Sequence, residues 1–593
     1  MKKLRSSSLA IGLSLVLSFL ALAQVARRDA SAPPARAPRR AVVGSVDGLQ
    51  MKRLLDYRPY FVAGLKRLLD ESHVERNANY AHLNTETGPG HASLGTGAPP
   101  RVTGIVANKW FEAKEDGTLR SVYCTDQKLV DPETGKDVYR PGPANLRVPT
   151  LGDRLLGRYP AARVVSLSGK DRGAIFLAGK RREHAVYWWD LETGRFVTSP
   201  AYDVGSPGGA VVSKIVTQYD RTRAAGHLPR RIGLTWRKMA DPAFPSGTAA
   251  STVRPVPSFE MRSFQVPVNG LGWDKDLSQA PNGYYHGIFY SPFIDELVVE
   301  LALDVVASKD LGLGRGEAPD LLCLSLSGQD TVSHAYGAES EENLDVLRRL
   351  DVQLGRLLEA LEREYPAGTV VLALSADHGF QTVPELEARR DKSFTGGRVL
   401  IGNGSVTNFE ERLNRYLDEE LCLPPGAKPI YGNEGFDLKY NLPGLPALRT
   451  VAGACGDAGR PVTAADVDRV LPRAIARLYG EEFKSVLLAS QRESWDREDR
   501  DVRFALNDFD PVRSGEALLV PRRGVLVYSE PRGSSHGSQY EYDTNVPLLF
   551  WGGGVKAGFS DAARAPYDLA PTIGKILGVE LPDAVGTAID LTR

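Results

Sequence analysis

Residues 369–379 read TVVLALSADHG, from Thr369 to Gly379. Seven residues run almost without a polar break, and then Asp377 and His378 follow side by side. A strand exposed on one face alternates in polarity, whereas a strand buried on both faces is apolar throughout. Three more runs have this form: RAVVGSV ends at Asp47, RVVSLS ends just before Lys170, and LLCLSLS ends just before Asp330. Helical patterns separate them. The clearest is ENLDVLRRLDVQLGRLLEALEREYP, with Leu344, Leu347, Leu350, Leu354, Leu358 and Leu361 on one face and Pro366 as its stop. Strand–helix–strand alternation predicts an α/β fold, a three-layer αβα sandwich around a mostly parallel sheet. Ligands of such sheets bind outside the carboxyl ends of the strands, where each of these polar clusters sits.

The chain has 593 residues, more than one simple core usually takes. Lys plus Arg and Asp plus Glu each number 73, so no charge excess supports nucleic-acid binding or a polybasic membrane surface. MKKLR, an apolar run from Ser8 to Leu22 and the small-x-small Ala21-Leu22-Ala23 read as a secretory signal peptide over residues 1–23. Residues 24–39 are rich in Pro, Ala and Arg and are expected to be a disordered linker. No Cys stands directly after the cleavage site, so a lipid anchor is not indicated, and no later run is long enough to cross a bilayer. The expectation is a secreted protein, periplasmic in a Gram-negative host, with no membrane association after cleavage. One large domain is expected over residues 40–593. Within it, the stretches at about 185–290 and 390–520 read as irregular cap insertions able to cover a site, with WWDLETGRFVTS a hairpin and VDRVLPRAIARLYG a helix.

Of four cysteines, Cys323 sits in an apolar strand and reads as a small buried hydrophobe. Cys422 and Cys455 share a loop-rich region where a disulfide and two thiols are both acceptable. The chemistry lies elsewhere. Asp330 and His334 are four apart in DTVSH, Asp377 and His378 are adjacent, His536 lies in GSSHGS, and Asp47 closes the first strand. Carboxylate oxygen and imidazole nitrogen are ligands that zinc accepts, and six of them would serve two ions. Each residue alone has a bland reading as a cap or turn. Their joint placement at strand ends does not. Residues 85–97, TETGPGHASLGTG, show no amphipathic period and read as a loop that presents a hydroxyl.

The ordered set SVDG, TETGPGHASLGTG, DTVSHAYG, SADHG and GSSHGS, followed by APYDLAPTIGKILGVELP, resembles the alkaline phosphatase superfamily over roughly residues 40 to 580. The resemblance implies an alkaline-phosphatase-like fold and two Zn²⁺ flanking a Ser or Thr nucleophile. Asp330, His334 and His536 match one zinc site; Asp47, Asp377 and His378 match the other. Thr87 matches the nucleophile, itself beside the metal, while Thr85 and Thr96 read as structural. Asn108 in GIVANKWF and the pair Lys170 and Arg172 in SGKDRGAI look like the monoesterase branch, where such residues contact the transferred phosphoryl group. Lys170 also matches the region where some relatives bind magnesium, so no third metal is expected. Ser333 and Thr103 depart from the common pattern, but neither is an expected ligand.

The implied activity is hydrolysis of small phosphate monoesters through a phosphothreonine. A monoester dianion presents three non-bridging oxygens to cations and an amide, whereas a diester has one charge less and a second substituent. The alternatives are a phosphodiesterase or nucleotide pyrophosphatase of the same superfamily and a non-catalytic phosphate-binding protein. A sulfatase needs a C/S-x-P-x-R motif that TETGPGH does not offer. The natural substrate and the oligomeric state are not readable from the sequence.

Overall fold

The four apolar runs are neighbouring strands of one nine-stranded sheet. In chain order its strands are β1 (Arg40–Val46), β2 (His73–Glu75), β3 (Val164–Ser168), β4 (Ala185–Asp190), β5 (Arg195–Val197), β6 (Asp320–Leu326), β7 (Val370–Ser375), β8 (Leu548–Gly552) and β9 (Gly558–Ser560). They lie in the order β9-β2-β8-β7-β1-β6-β3-β4-β5. Pairing is parallel from β7 through β1, β6 and β3 to β4. Strand β8 is antiparallel to both β7 and β2, β9 is parallel to β2, and β5 closes the far edge antiparallel to β4. This computed structural model describes residues 38–130, 134–221, 236–239, 283–401, 408–432, 436–445 and 460–592. The expected signal peptide and residues 24–37 of the expected linker lie outside them.

Successive residues of a strand point to opposite faces, and the central strands supply two cores in this way. Ala41, Val43, Leu321, Cys323, Val371 and Ala373 pack with helices α1 (Thr87–Thr96) and α2 (Asp171–Ala178) and with the helix Leu569–Leu577. Val42, Leu322, Leu324, Leu372 and Leu374 pack in the opposite core with α3 (Phe293–Ala307), α4 (Gly328–Tyr336) and α5 (Glu341–Glu364). The result is the three-layer αβα sandwich. The leucine stripe of α5 is buried as its spacing requires, and Ser340 caps the helix by accepting from the Asn343 N–H.

The structure departs from the sequence reading in three places. Thr87–Thr96 is a helix, not a loop. Every residue of it is buried, so the amphipathic period that marks a surface helix has no reason to appear. Residues 185–197 are strands β4 and β5 of the main sheet, joined as a hairpin, and the helix Pro207–Tyr219 packs Val212, Val216 and Tyr219 into the α5-side core. Residues 222–235 and 240–282 of that stretch lie outside the described residues. The described residues of the stretch from 390 to 520 are not irregular, while 402–407, 433–435 and 446–459 lie outside the described residues. The stretch builds a four-stranded antiparallel sheet in the order Ile430–Gly432, Asp437–Tyr440, Ala517–Pro521, Phe483–Leu488. The helices Phe409–Glu420 and Ala464–Tyr479 cover it with a core of its own. Its strands are three to six residues long, too short to show a period. Cys323 is a buried free thiol. Cys422 is disulfide-bonded, while Cys455 lies outside the described residues.

Candidate active site

The parallel strands end in a common edge, and the polar residues gather there. The register aligns Ser168, Ser325, Ser45 and Ser375 in one row across β3, β6, β1 and β7. Asp47 follows β1 directly, Lys170 follows β3, and Asp377 and His378 follow β7. Asp330 and His334 lie one turn apart on one face of α4. His536 comes from the loop before β8 and lies beside them. Ligand atoms of Asp330, His334 and His536 lie within 4.8 Å of one another, as do those of Asp47, Asp377 and His378.

Backbone groups set the orientation of each side chain. The Nδ1–H groups of His334, His378 and His536 donate to the carbonyls of Ser534 (2.9 Å), Gly379 (2.8 Å) and Thr85 (2.8 Å). A carbonyl only accepts, so the proton is on Nδ1 and the Nε2 lone pair faces the cluster, the tautomer a metal ligand needs. Burial pushes His378 down and His536 well down from the ordinary imidazole range, which keeps both neutral. The Oδ1 of Asp377 accepts from the N–H groups of Gly48 (3.0 Å) and His378 (3.1 Å), leaving Oδ2 inward.

Among the described residues, Asp47 Oδ1, His378 Nε2 and Asp330 Oδ1 are buried with no hydrogen-bond partner. Unpaired buried polar atoms are costly, and these converge in two groups of the right chemistry for divalent cations. Electrostatics agrees. Burial, with the charges of Asp330 and Asp377 beside it, pushes Asp47 well above the usual carboxylate range. Burial alone would raise Asp330 too, but Lys170 and His334 outweigh it and hold that carboxyl well below. The Lys170 Nζ lies 2.6 Å from an oxygen of Asp47 and 2.6 Å from one of Asp330. Its ammonium therefore stands between the two clusters, and Lys170 is not among the residues that line the cavity beside them.

Thr87, Asn108, Arg172, His334 and His536 do share one cavity of about 240 Å³. Thr87 is the first residue of α1, so the positive end of that helix faces the cavity. The Asn108 Oδ1 accepts from Gly88 N–H at 2.8 Å. Ile401, Phe436, Val527 and Tyr528 form an apolar wall, and the Tyr528 ring stacks on His334.

Several positioning residues are given no role in the sequence reading. His91 has Nδ1 2.9 Å from the Thr87 carbonyl and 3.1 Å from Asp377 Oδ2, with Nε2 2.9 Å from Ser325 Oγ. It lies in the quoted TETGPGH stretch, and only its helical spacing from Thr87 would have marked it. Glu86 accepts from Asn108 N–H at 2.7 Å. Asp295 of α3 accepts from Gly328 N–H at 3.0 Å, at the start of α4.

Comparison with known proteins places this arrangement. Alkaline phosphatase PhoK of Sphingomonas sp is 28% identical, over 95% of this chain and 92% of its own. Alkaline phosphatase PhoD of Zymomonas mobilis is also 28% identical, over 92% of this chain and 87% of its own. The crystal structure of wild-type alkaline phosphatase PafA has the same fold, with a TM-score of 0.74 and 23% identity over 94% of this chain and 99% of that one. The profile of the type I phosphodiesterase / nucleotide pyrophosphatase family matches residues 41–539, which span β1, both Asp/His clusters and Thr87, and the chain belongs to that family.

Proposed function

We propose that this phosphoric ester hydrolase is an exported phosphate monoesterase that works through a phosphothreonine at Thr87. The observation that carries the reading is that two three-residue Asp/His clusters are bridged by Lys170, and that His334 and His536 of one of them share a cavity with Thr87, Asn108 and Arg172. Zinc fits the donor types of both clusters and, bound by Asp47, Asp377 and His378 and by Asp330, His334 and His536, would supply Lewis acidity at the attacking and leaving oxygens. Thr87 Oγ loses its proton and attacks phosphorus, the bond to the leaving oxygen breaks, and the leaving oxygen takes up a proton. Water then attacks the phosphothreonine, releasing inorganic phosphate and restoring the hydroxyl. Arg172, the Asn108 side chain and the N-terminus of α1 bear on the non-bridging oxygens, where charge must be stabilised. Lys170 acts from behind, balancing Asp47 and Asp330. The names of the relatives support a monoester; the family's description favours a diester as the second reading.

Export rests on the sequence of residues 1–23. Among the described residues no helix is long and apolar enough to cross a membrane. Residues 40–593 are read as one catalytic unit with the sheet of Ile430–Pro521 laid against its site.

The test compares an aryl phosphate monoester with its bis-aryl diester, for wild type and Thr87→Ala, with zinc present. The expected result is strong preference for the monoester and loss of turnover in Thr87→Ala. Preference for the diester would overturn the monoesterase assignment and leave the zinc–threonine core standing. No cleavage of either ester, with both metals bound, would overturn the reaction class.

A further inference from the structure

The stretch Lys170-Asp171-Arg172 reads as two cations around a spacer, but the spacer is the anchor. Asp171 opens α2, and both its oxygens are held. Oδ1 accepts from the Tyr123 hydroxyl at 2.8 Å, and Oδ2 accepts from the Thr125 hydroxyl at 2.7 Å. The Tyr123 oxygen in turn accepts from Arg172 Nη1 at 2.9 Å. A hydroxyl that donates to a carboxylate is polarised into a better acceptor, so the three groups strengthen one another.

Tyr123 ends the second strand of a hairpin, Lys109–Ala113 with Leu119–Tyr123, in which Lys109 faces Tyr123. Asn108 lies just before the first strand, and its carbonyl accepts from Cys124 N–H at 2.8 Å. The turn beyond is locked as well. Asp126 accepts from Tyr123 N–H at 3.0 Å, and the Asn145 amide donates to the carbonyls of Cys124 (3.1 Å) and Asp126 (3.2 Å). One end of this hairpin therefore carries Asn108 on one strand and grips Arg172 from the other.

We propose that residues 108–125 act as a specificity clip, in which Tyr123, backed by Asp171 and Thr125, positions Arg172 at a fixed offset from Asn108 to suit a dianionic monoester. The clip rests on the monoesterase reading. Arg is long and loses rotamer freedom on binding, so a tether that fixes it beforehand lowers that cost. A diester has one charge less and a substituent in place of one free oxygen, so it gains little from the fixed guanidinium. Tyr123, Thr125 and Asp171 are positioning residues; none is assigned contact with phosphorus.

The experiment measures kcat/KM of para-nitrophenyl phosphate and bis-para-nitrophenyl phosphate, and inhibition by inorganic phosphate, in the zinc-loaded enzyme. Tyr123→Phe is expected to lower monoester kcat/KM about tenfold and weaken inhibition by phosphate, with diester turnover held within about twofold. Adding Tyr123→Phe to Arg172→Ala is expected to cost nothing further, because the tether then holds nothing. Thr125→Val leaves the Tyr123–Arg172 bond in place and is expected to shift the monoester-to-diester ratio the same way by less. Parallel loss on both esters, a full further loss in the Arg172→Ala background, or an unchanged ratio in Tyr123→Phe would each overturn the clip. A wild-type preference for the diester removes the monoesterase reading beneath it and is seen before any variant is compared.

Discussion

At Gly90 the chain has no room for one more carbon. A Cβ there would lie 2.2 Å from the main-chain oxygen of Asp377 and 2.6 Å from its Cβ. Neither atom is the free end of a flexible side chain, so α1 or the Asp377 turn must move. Gly90→Ala is expected to cost about 1–3 kcal/mol of stability, as overpacking does. It is also expected to reduce zinc content at the Asp47, Asp377 and His378 cluster. Urea unfolding and metal analysis of the purified variant check both; wild-type values in both would show that the contact is looser than its geometry. The same residue shows what a sequence can and cannot say about a site. Asp47, Asp330, His334, Asp377, His378 and His536 were legible because each carries ligand chemistry at a strand end or in a Gly/Ser-rich loop. The glycines of TETGPGH were legible as a need for close approach, but not as a need to admit Asp377. Tyr123 and Asp171 were not legible, since a Tyr and an Asp 48 residues apart acquire a role only when a hairpin and a helix start meet.

At the level of elements, α4 carries two expected ligands yet starts without a cap of its own. Ser327, its N-cap residue, makes no side-chain cap bond, and Asp295 of α3 bonds to the Gly328 N–H instead. A helix start left uncapped has unsatisfied N–H groups, here in a buried setting. Asp295→Ala is expected to cost about 1 kcal/mol, in line with loss of a cap, and to weaken zinc at Asp330, His334 and His536 more than at the other cluster. Asp295→Asn keeps the acceptor and is expected to recover most of both. Titration of the metal-free protein with zinc separates the two sites, and equal weakening at both would rule out a local effect through α4. The elements themselves were unequally legible. The parallel strands and α5 declare themselves by long apolar runs and a leucine stripe. The buried helix α1 has no polar face to set a period, and the strands of the 430–521 sheet are too short to hold one. Both take their form from tertiary packing.

At the scale of the whole molecule, the site ties together segments from Asp47 to His536, so metal and fold stability are linked. Without cations, the buried carboxylates of Asp47 and Asp330 share the ammonium of Lys170, while Asp377 lies against the His91 ring. Chelation of zinc is expected to lower the unfolding temperature and to abolish turnover, and zinc is expected to restore both. A ligand at about a thousand times its Kd adds about 4 kcal/mol, which sets the scale of the change. Acid acts through a different staple. Glu339 joins Arg53 (3.0 Å), Thr382 (3.0 Å) and Arg390, and so holds together the helix Met51–Asp56, the start of α5 and the helix Pro384–Arg390. Burial alone would raise its pKa, but the guanidinium groups of Arg53 and Arg390 outweigh it and lower the carboxyl from an ordinary 4.5 to about 2. A carboxyl depressed by folding stabilises the native state above its unfolded pKa, and that stability drains away as pH falls through the folded one. A tenfold change in a carboxyl's proton affinity is worth about 1.4 kcal/mol, so Glu339→Gln is expected to cost up to about 3 kcal/mol at pH 7. The gap between variant and wild type should narrow below about pH 4 and close near pH 2, where Glu339 is itself protonated. Urea unfolding of both metal-free proteins across that range reads the gap directly. A gap that stays constant with pH would mean that Glu339 acts through packing rather than through its charge.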